Sequence, residues 1–239
     1  MPRRLACTAA LAVLMLLLVA GVASRRHALA CDLLPFAGYR QLQPGVFAGS
    51  DVDEAQARQF QDLVAAASAR IEGLYGTPAS RPRLVLAGSM QAARRLGAND
   101  TASMHRSPWR SCIVVGPQGR NVDVIAHEWL HAEIQHRVGF WRTLREIPVW
   151  FDEGAALTVD HRAPFLPSGI RRTGAEIRAV RQLDRGPEFF AGDTHAHYQA
   201  ARLAVAPLIE PGRFYADLGR IASGERFGEV FDDGQPAPD

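Results

Sequence analysis

Residues 127–136, HEWLHAEIQH, hold three histidines and two glutamates. Read as a helix at about 100° per residue, His127 and His131 lie four apart and share one face, as two metal ligands from one helix must. His136 falls about half a turn from His127 and Glu133 about a third of a turn, so both are expected to point elsewhere, toward solvent. Val124, Leu130, Ile134 and Val138 flank the histidine pair, which places it on the buried side of the helix, where polar groups require partners. Glu128 projects beside the pair, within reach of a water near the ion but not among the ligands. This is the HExxH arrangement, in which two neutral imidazoles hold Zn²⁺ and the glutamate acts as general base.

A catalytic zinc takes three protein ligands and keeps a fourth position open. One source of the third is a histidine six residues after the second, following a glycine. Arg137 stands at that position and Ile134 where the glycine would be, which excludes this route. The other source is a glutamate on a following helix. The segment PVWFDEGAA supplies Glu153, 22 residues after His131, among Gly154, Ala155 and Ala156, whose small side chains allow two helices to approach closely.

The run His127-Glu128-Trp129-Leu130-His131 followed by PVWFDEGAA resembles the gluzincin metallopeptidases, and most of all their minimal bacterial branch, the peptidase MA-like family. There a W-x-x-EG-x-A segment carries the glutamate ligand. The similarity extends over roughly residues 80 to 231, including the segment HYQAARLAVAPLIEPGRFYADLGRIASGERFGEVF, with its specific motifs confined to two short blocks. It implies a zincin-like fold, peptide or protein substrates, and the strand CIVVGP as the edge against which substrate backbone pairs. It also favours Tyr198, in THAHYQ, as the donor to the developing oxyanion, with His195 and His197 as neighbours able to take that role. One departure stands out. The aspartate that orients the first histidine in thermolysin-like enzymes would fall at Leu157, so the partner of His127 is unassigned.

The elements that must position these residues read as an α+β fold: a mostly helical domain with a small sheet before the HExxH helix. A helix from Asp51 ends at Gly76 and Pro78; RPRLVLAG and SCIVVGP are short strands; a small helix covers Met90 to Leu96. The HExxH helix spans Val122 to Val138, a loop follows, and Pro148 opens the Glu153 helix. Helices are expected at Gly174–Leu183, Thr194–Ile209 and Arg213–Ala222. The domain organisation follows: 1–24 a signal peptide or membrane anchor, 25–50 a linker or arm, 51–231 the metallopeptidase domain, 232–239 a flexible tail.

The 239 residues carry a net charge of +2, and all 27 basic residues are arginine, with no block of one sign that would suggest a nucleic-acid partner. Arg3 and Arg4 precede an uncharged apolar run from Leu5 to Ala23, closed by Arg25 and Arg26. Such an N-terminus directs export or anchors the chain in a membrane, so the cell envelope or periplasm is the expected location. Cys31 and Cys112 either pair, if the domain is exported, or remain buried thiols. His105 and His161 read as structural or exposed. Arg171, Arg172, Arg178, Arg181 and Arg185 read as a solvated basic face, with lipid headgroups as the alternative. Taken together, the residues predict a zinc-dependent peptidase with His127, His131 and Glu153 as ligands, Glu128 as base and Tyr198 as oxyanion donor. The competing expectation is an envelope zinc-binding interaction module with little turnover.

Overall fold

A computed structural model describes residues 26–231. The N-terminal apolar run and the expected C-terminal tail lie outside the described residues. The architecture is α+β. Five short strands form one mixed sheet in the order β1-β2-β3-β5-β4: β1 Arg40–Gln43, β2 Val46–Ala48, β3 Arg83–Leu86, β4 Ala102–His105 and β5 Cys112–Val115. β2, β3 and β5 run parallel, while β1 and β4 pair antiparallel at the two edges.

Side chains alternate across the pleat and both faces are dry. Val46, Ala48, Leu84, Leu86, Ile113 and Val115 join the main core, whereas Phe47, Val85, Cys112 and Val114 join a smaller one on the other side. Burial on both faces explains why β3 and β5 read as continuous apolar runs. Over the main face lie α2 (Glu54–Tyr75) and α4 (Val122–Val138); α1 (Arg26–Asp32) and α3 (Met90–Arg95) help enclose the smaller core. The chain continues through α5 (Phe140–Glu146), α6 (Val149–Ala156), α7 (Gly174–Val180), α8 (Gly186–Phe189), α9 (Thr194–Ala204), α10 (Phe214–Ser223) and α11 (Phe227–Val230).

Several elements depart from the sequence expectation. The segment read as a linker or arm forms α1 and the β1–β2 hairpin, whose Pro44-Gly45 turn has Gly45 at φ 82°. β4 lies between the Met90–Leu96 helix and Pro108, where the sequence reading has no element. Consequently β5, the CIVVGP strand, is interior and β4 is the edge on that side. The expected loop after α4 is the helix α5. Cys31 and Cys112 are joined in a disulfide that ties α1 to β5 across 81 residues of sequence, a closure that stabilises by roughly 4.5 kcal/mol on the chain-entropy account. No helix of the described residues is long and apolar enough to cross a membrane.

Candidate metal centre

The centre is built on α4. Asn121 caps its N-terminus by accepting from the Val124 N–H at 2.9 Å, and Gly139, at φ 89°, ends it. Val124, Leu130, Ile134 and Val138 are buried as expected, and His127 and His131 are 7% and 5% exposed. Facing them is α6, which carries Glu153. Behind α6 runs α9, and Gly154 is where they meet: a Cβ there would fall 2.5 Å from the Ala201 carbonyl oxygen. The small residues around Glu153 thus admit α9, the helix that brings Tyr198 to the site.

Nε2 of His127 and Nε2 of His131 lie 3.2 Å apart, and Oε2 of Glu153 is 3.4 Å from each. Ligand bonds of about 2.0–2.2 Å in a tetrahedron place ligand atoms roughly 3.3 Å from one another. The triangle therefore has the size of one face of a tetrahedral coordination sphere. Its electrostatics agree. Glu153 Oε2 is buried without a hydrogen-bond partner, and such an atom calls for a cation or a donor. Around the cluster lie three further carboxylates, Glu128, Asp152 and Asp160, the two aspartates paired with the guanidinium groups of Arg106 and Arg162. Burial alone would depress the His131 imidazole, but Asp152 and Glu153 outweigh it and hold it well above the ordinary histidine value. Burial likewise opposes ionisation of Glu153, yet the two imidazoles hold it far below the carboxylate range. His127, His131 and Glu153 can hold a metal ion.

Each imidazole has a carboxylate at its other nitrogen. Asp152 Oδ2 lies 3.0 Å from Nδ1 of His131, and Asp160 Oδ2 lies 3.7 Å from Nδ1 of His127. Each aspartate in turn pairs with an arginine, Arg106 and Arg162 respectively. Ligand histidines commonly have such carboxylate partners, which fix the ring so that Nε2 presents its lone pair. The carboxylate that faces His127 Nδ1 is thus Asp160, seven residues beyond Glu153 rather than four, at a distance longer than a hydrogen bond. Sequence reasoning missed both aspartates; the only available signal was acidic residues flanking Glu153.

Glu128 and Tyr198 occupy the open side. Two cavities, of about 310 and 340 Å³, meet there and share Asn99, Ala102, His127, Glu128 and Tyr198. Burial pushes the Glu128 carboxyl up, against the pull of the imidazoles and of the Met104 backbone N–H on β4. The Tyr198 hydroxyl reaches the Glu153 carboxylate, and its ring lies edge-on to His127 at 6.4 Å. Burial and the charges of Glu153 and Glu128 raise its pKa, so it stays a donor.

Other candidates fall elsewhere. Glu133, expected in solvent, is fully buried: it accepts from the N–H groups of Ala79 and Ser80 at 3.0 and 2.7 Å and from Arg137 Nε at 2.6 Å. A third of a turn from the histidines points it at the end of α2, not at water. His136 is exposed as expected. His197 Nδ1 is spent on the Phe189 carbonyl at 2.7 Å, while His195 is exposed at the rim of the smaller cavity. His105 bonds the Leu96 carbonyl, and His161 is exposed. The arginine face is partly spent on packing: Arg172 donates to Gln199 and Arg181 to the Ala204 carbonyl.

No family model, curated protein or solved structure matches the chain.

Proposed function

We propose that the protein is a zinc-dependent peptidase of gluzincin type. The observation that carries this reading is the convergence of three buried lone-pair atoms with a carboxylate, Glu128, held beside them where two cavities meet. A structural zinc is normally closed by four protein ligands and has no use for that carboxylate. Two imidazoles and one carboxylate suit zinc among divalent ions. His127, His131 and Glu153 would hold it. Bound there, zinc supplies a Lewis acid that polarises the scissile carbonyl and lowers the pKa of water toward about 7.

The protein's own groups do the rest. Asp152 and Asp160 orient the imidazoles. Glu128 takes a proton from the attacking water as its oxygen bonds to the carbonyl carbon, and returns it to the leaving nitrogen as the C–N bond breaks. Tyr198 donates to the carbonyl oxygen as charge develops on it. Substrate extends along β4, the sheet edge, whose residues Ala102, Ser103 and Met104 line the larger cavity with Glu128. Two cavities that meet at Glu128 suit a chain that continues past the scissile bond in both directions.

The reading places the domain outside the cytoplasm or tethered to a membrane, supported by the apolar run at residues 5–23 and the Cys31–Cys112 disulfide, a bond that persists in oxidising compartments. The test is metal analysis and peptide hydrolysis by the purified protein beside Glu128→Gln. The expected result is one zinc in both and turnover in the unsubstituted protein only. Zinc bound with no peptide cut by either form would favour the interaction module.

A further inference from the structure

The described residues bury most of their large apolar side chains, but Leu33, Phe36 and Trp109 are 57%, 87% and 68% exposed. They share a surface. Leu33 and Phe36 lie just after α1, and the Trp109 indole N–H donates to Asp32 at the end of α1, at 2.8 Å. This surface is fixed to the sheet by the Cys31–Cys112 disulfide and by Arg83, which donates to the Cys31 carbonyl at 2.6 Å and pairs with Asp32 at 3.5 Å. Only Ser24 and Arg25 separate the apolar run ending at Ala23 from α1. From Arg26 to Cys31 a helix rises only about 8 Å. If the run is an anchor, only two residues lie between it and α1, which would hold the surface around α1 near the bilayer.

Beside Trp109 is a cavity of about 280 Å³, lined in part by Arg81, Arg110, Gln135 and Phe140 and by no carboxylate. Gln135 is 5% exposed; its Nε2 donates to the Ser107 carbonyl at 2.9 Å, while its Oε1 is buried with no partner. Neither Arg81 nor Arg110 pairs with a carboxylate among the described residues, unlike Arg83, Arg106, Arg137 and Arg162. Arg81 Nη1 also donates to the Pro78 and Ser80 carbonyls at 2.9 and 3.1 Å, but no carboxylate neutralises either guanidinium, so the pair calls for an anion, and the buried oxygen calls for a hydroxyl or N–H donor. A phosphoglycerol headgroup carries both. Tryptophan at the rim fits the headgroup level of a bilayer, where its ring is enriched.

We propose that this face docks on an anionic phospholipid surface, with a headgroup phosphate between Arg81 and Arg110, its hydroxyl on Gln135 Oε1, and Leu33, Phe36 and Trp109 in the interfacial layer. The proposal rests on the membrane-tethered form of the reading above and is independent of the peptidase chemistry. It also differs from the arginine face at residues 171–185.

The test uses the full chain, carrying Trp141→Phe, in vesicles of phosphatidylcholine with or without phosphatidylglycerol. Trp129 and Trp150 are 7% and 4% exposed, so Trp109 is then the exposed fluorophore. Brominated lipid should quench it, and phosphatidylglycerol should shield it from aqueous acrylamide. Arg81→Gln/Arg110→Gln should abolish the phosphatidylglycerol dependence, and Leu33→Ser/Phe36→Ser should weaken quenching by bromine several-fold. A chain that resists carbonate extraction while Trp109 stays equally open to acrylamide in both vesicles overturns the docking face and leaves the anchor. Release of the full chain by carbonate overturns both. Shielding of Trp109 by self-association in neutral detergent would assign the face to a second copy instead. Zinc content and turnover are read separately, so failure of the peptidase reading is distinguishable.

Discussion

Asp152 lies 3.0 Å from Nδ1 of His131, while its chain neighbour Glu153 faces Nε2 of the same ring at 3.4 Å. One turn of α6 thus holds one imidazole at both ends, and Arg106 holds Asp152 from behind. Asp152→Asn keeps the size of the side chain and removes its charge. Zinc affinity, measured by competition with a chelator, should fall about 10–100-fold. An affinity equal to that of the unsubstituted protein would remove Asp152 from the positioning role.

Glu133 and His136 lie on the same helix and should behave oppositely. Glu133→Ala strips the acceptor from two backbone N–H groups and the partner from Arg137, and losses of this kind cost about 3 kcal/mol. His136→Ala, at an exposed position, should stay within about 0.5 kcal/mol. Urea unfolding of the metal-free proteins reads both, and equal midpoints would refute the buried role of Glu133. Folded Glu133→Ala should still bind one zinc.

What the sequence made legible is what local spacing encodes. Four-residue periodicity placed His127 and His131 on one face, and the run of small residues after Glu153 marked a close helix crossing. Elements that exist only through distant pairing were not legible. β4 is ASMH, whose alternation of apolar and polar residues runs for only four positions, too few to mark a strand, and it is a strand because β5 offers it partners. α5 was hidden for the opposite reason: Trp141 and Leu144 are 71% and 53% exposed, so its apolar residues do not mark a buried face. Asp160 is invisible to a wheel because it lies beyond the end of α6 and is returned to His127 by the turn that follows. Glu133 shows the limit of the wheel itself, which gives direction but not what waits there.

At Gly154 the two helices that carry Glu153 and Tyr198 touch. A methyl group there meets the Ala201 carbonyl oxygen at 2.5 Å and Val205 Cγ1 at 2.7 Å, contacts that only separation of α6 and α9 relieves. Gly154→Ala should cost about 1–3 kcal/mol of stability. Ala155 is buried one position on, about 100° round the helix from Gly154, so Ala155→Gly serves as the comparison, expected to lose only about 1 kcal/mol, mainly through backbone entropy. Thermal unfolding that ranks the two the other way would contradict the packing.

Acid should loosen the junction of α2, α4 and the segment after α6. Burial pushes the Asp123 carboxyl up, but the His161 backbone N–H, at 2.8 Å, and Arg70 outweigh it and hold the group below its ordinary 3.8. A folded-state value below the unfolded one contributes stability that is present above the unfolded value and disappears as pH falls through the folded one. The unsubstituted protein should therefore lose its advantage over Asp123→Asn as pH falls below about 4. A difference in urea midpoint between the two that is constant down to acid pH would show that Asp123 does not carry this dependence.

Tyr198→Phe removes one hydroxyl and leaves a ring that packs against Phe189 and His127. If that hydroxyl serves the developing oxyanion, its loss is felt in the transition state and little in substrate binding. kcat should fall roughly 10²-fold or more with KM nearly unchanged. Its contact with Glu153 supplies a second readout, because a hydroxyl that merely steadied the ligand would act through the metal. Zinc affinity of Tyr198→Phe should accordingly remain within a few-fold of the unsubstituted protein. An unchanged kcat would pass the role to His195 at the cavity rim, testable as His195→Gln; His197, committed to the Phe189 carbonyl, is the weaker replacement. Loss of zinc in step with loss of kcat would make Tyr198 a positioning residue for Glu153 rather than a donor to substrate.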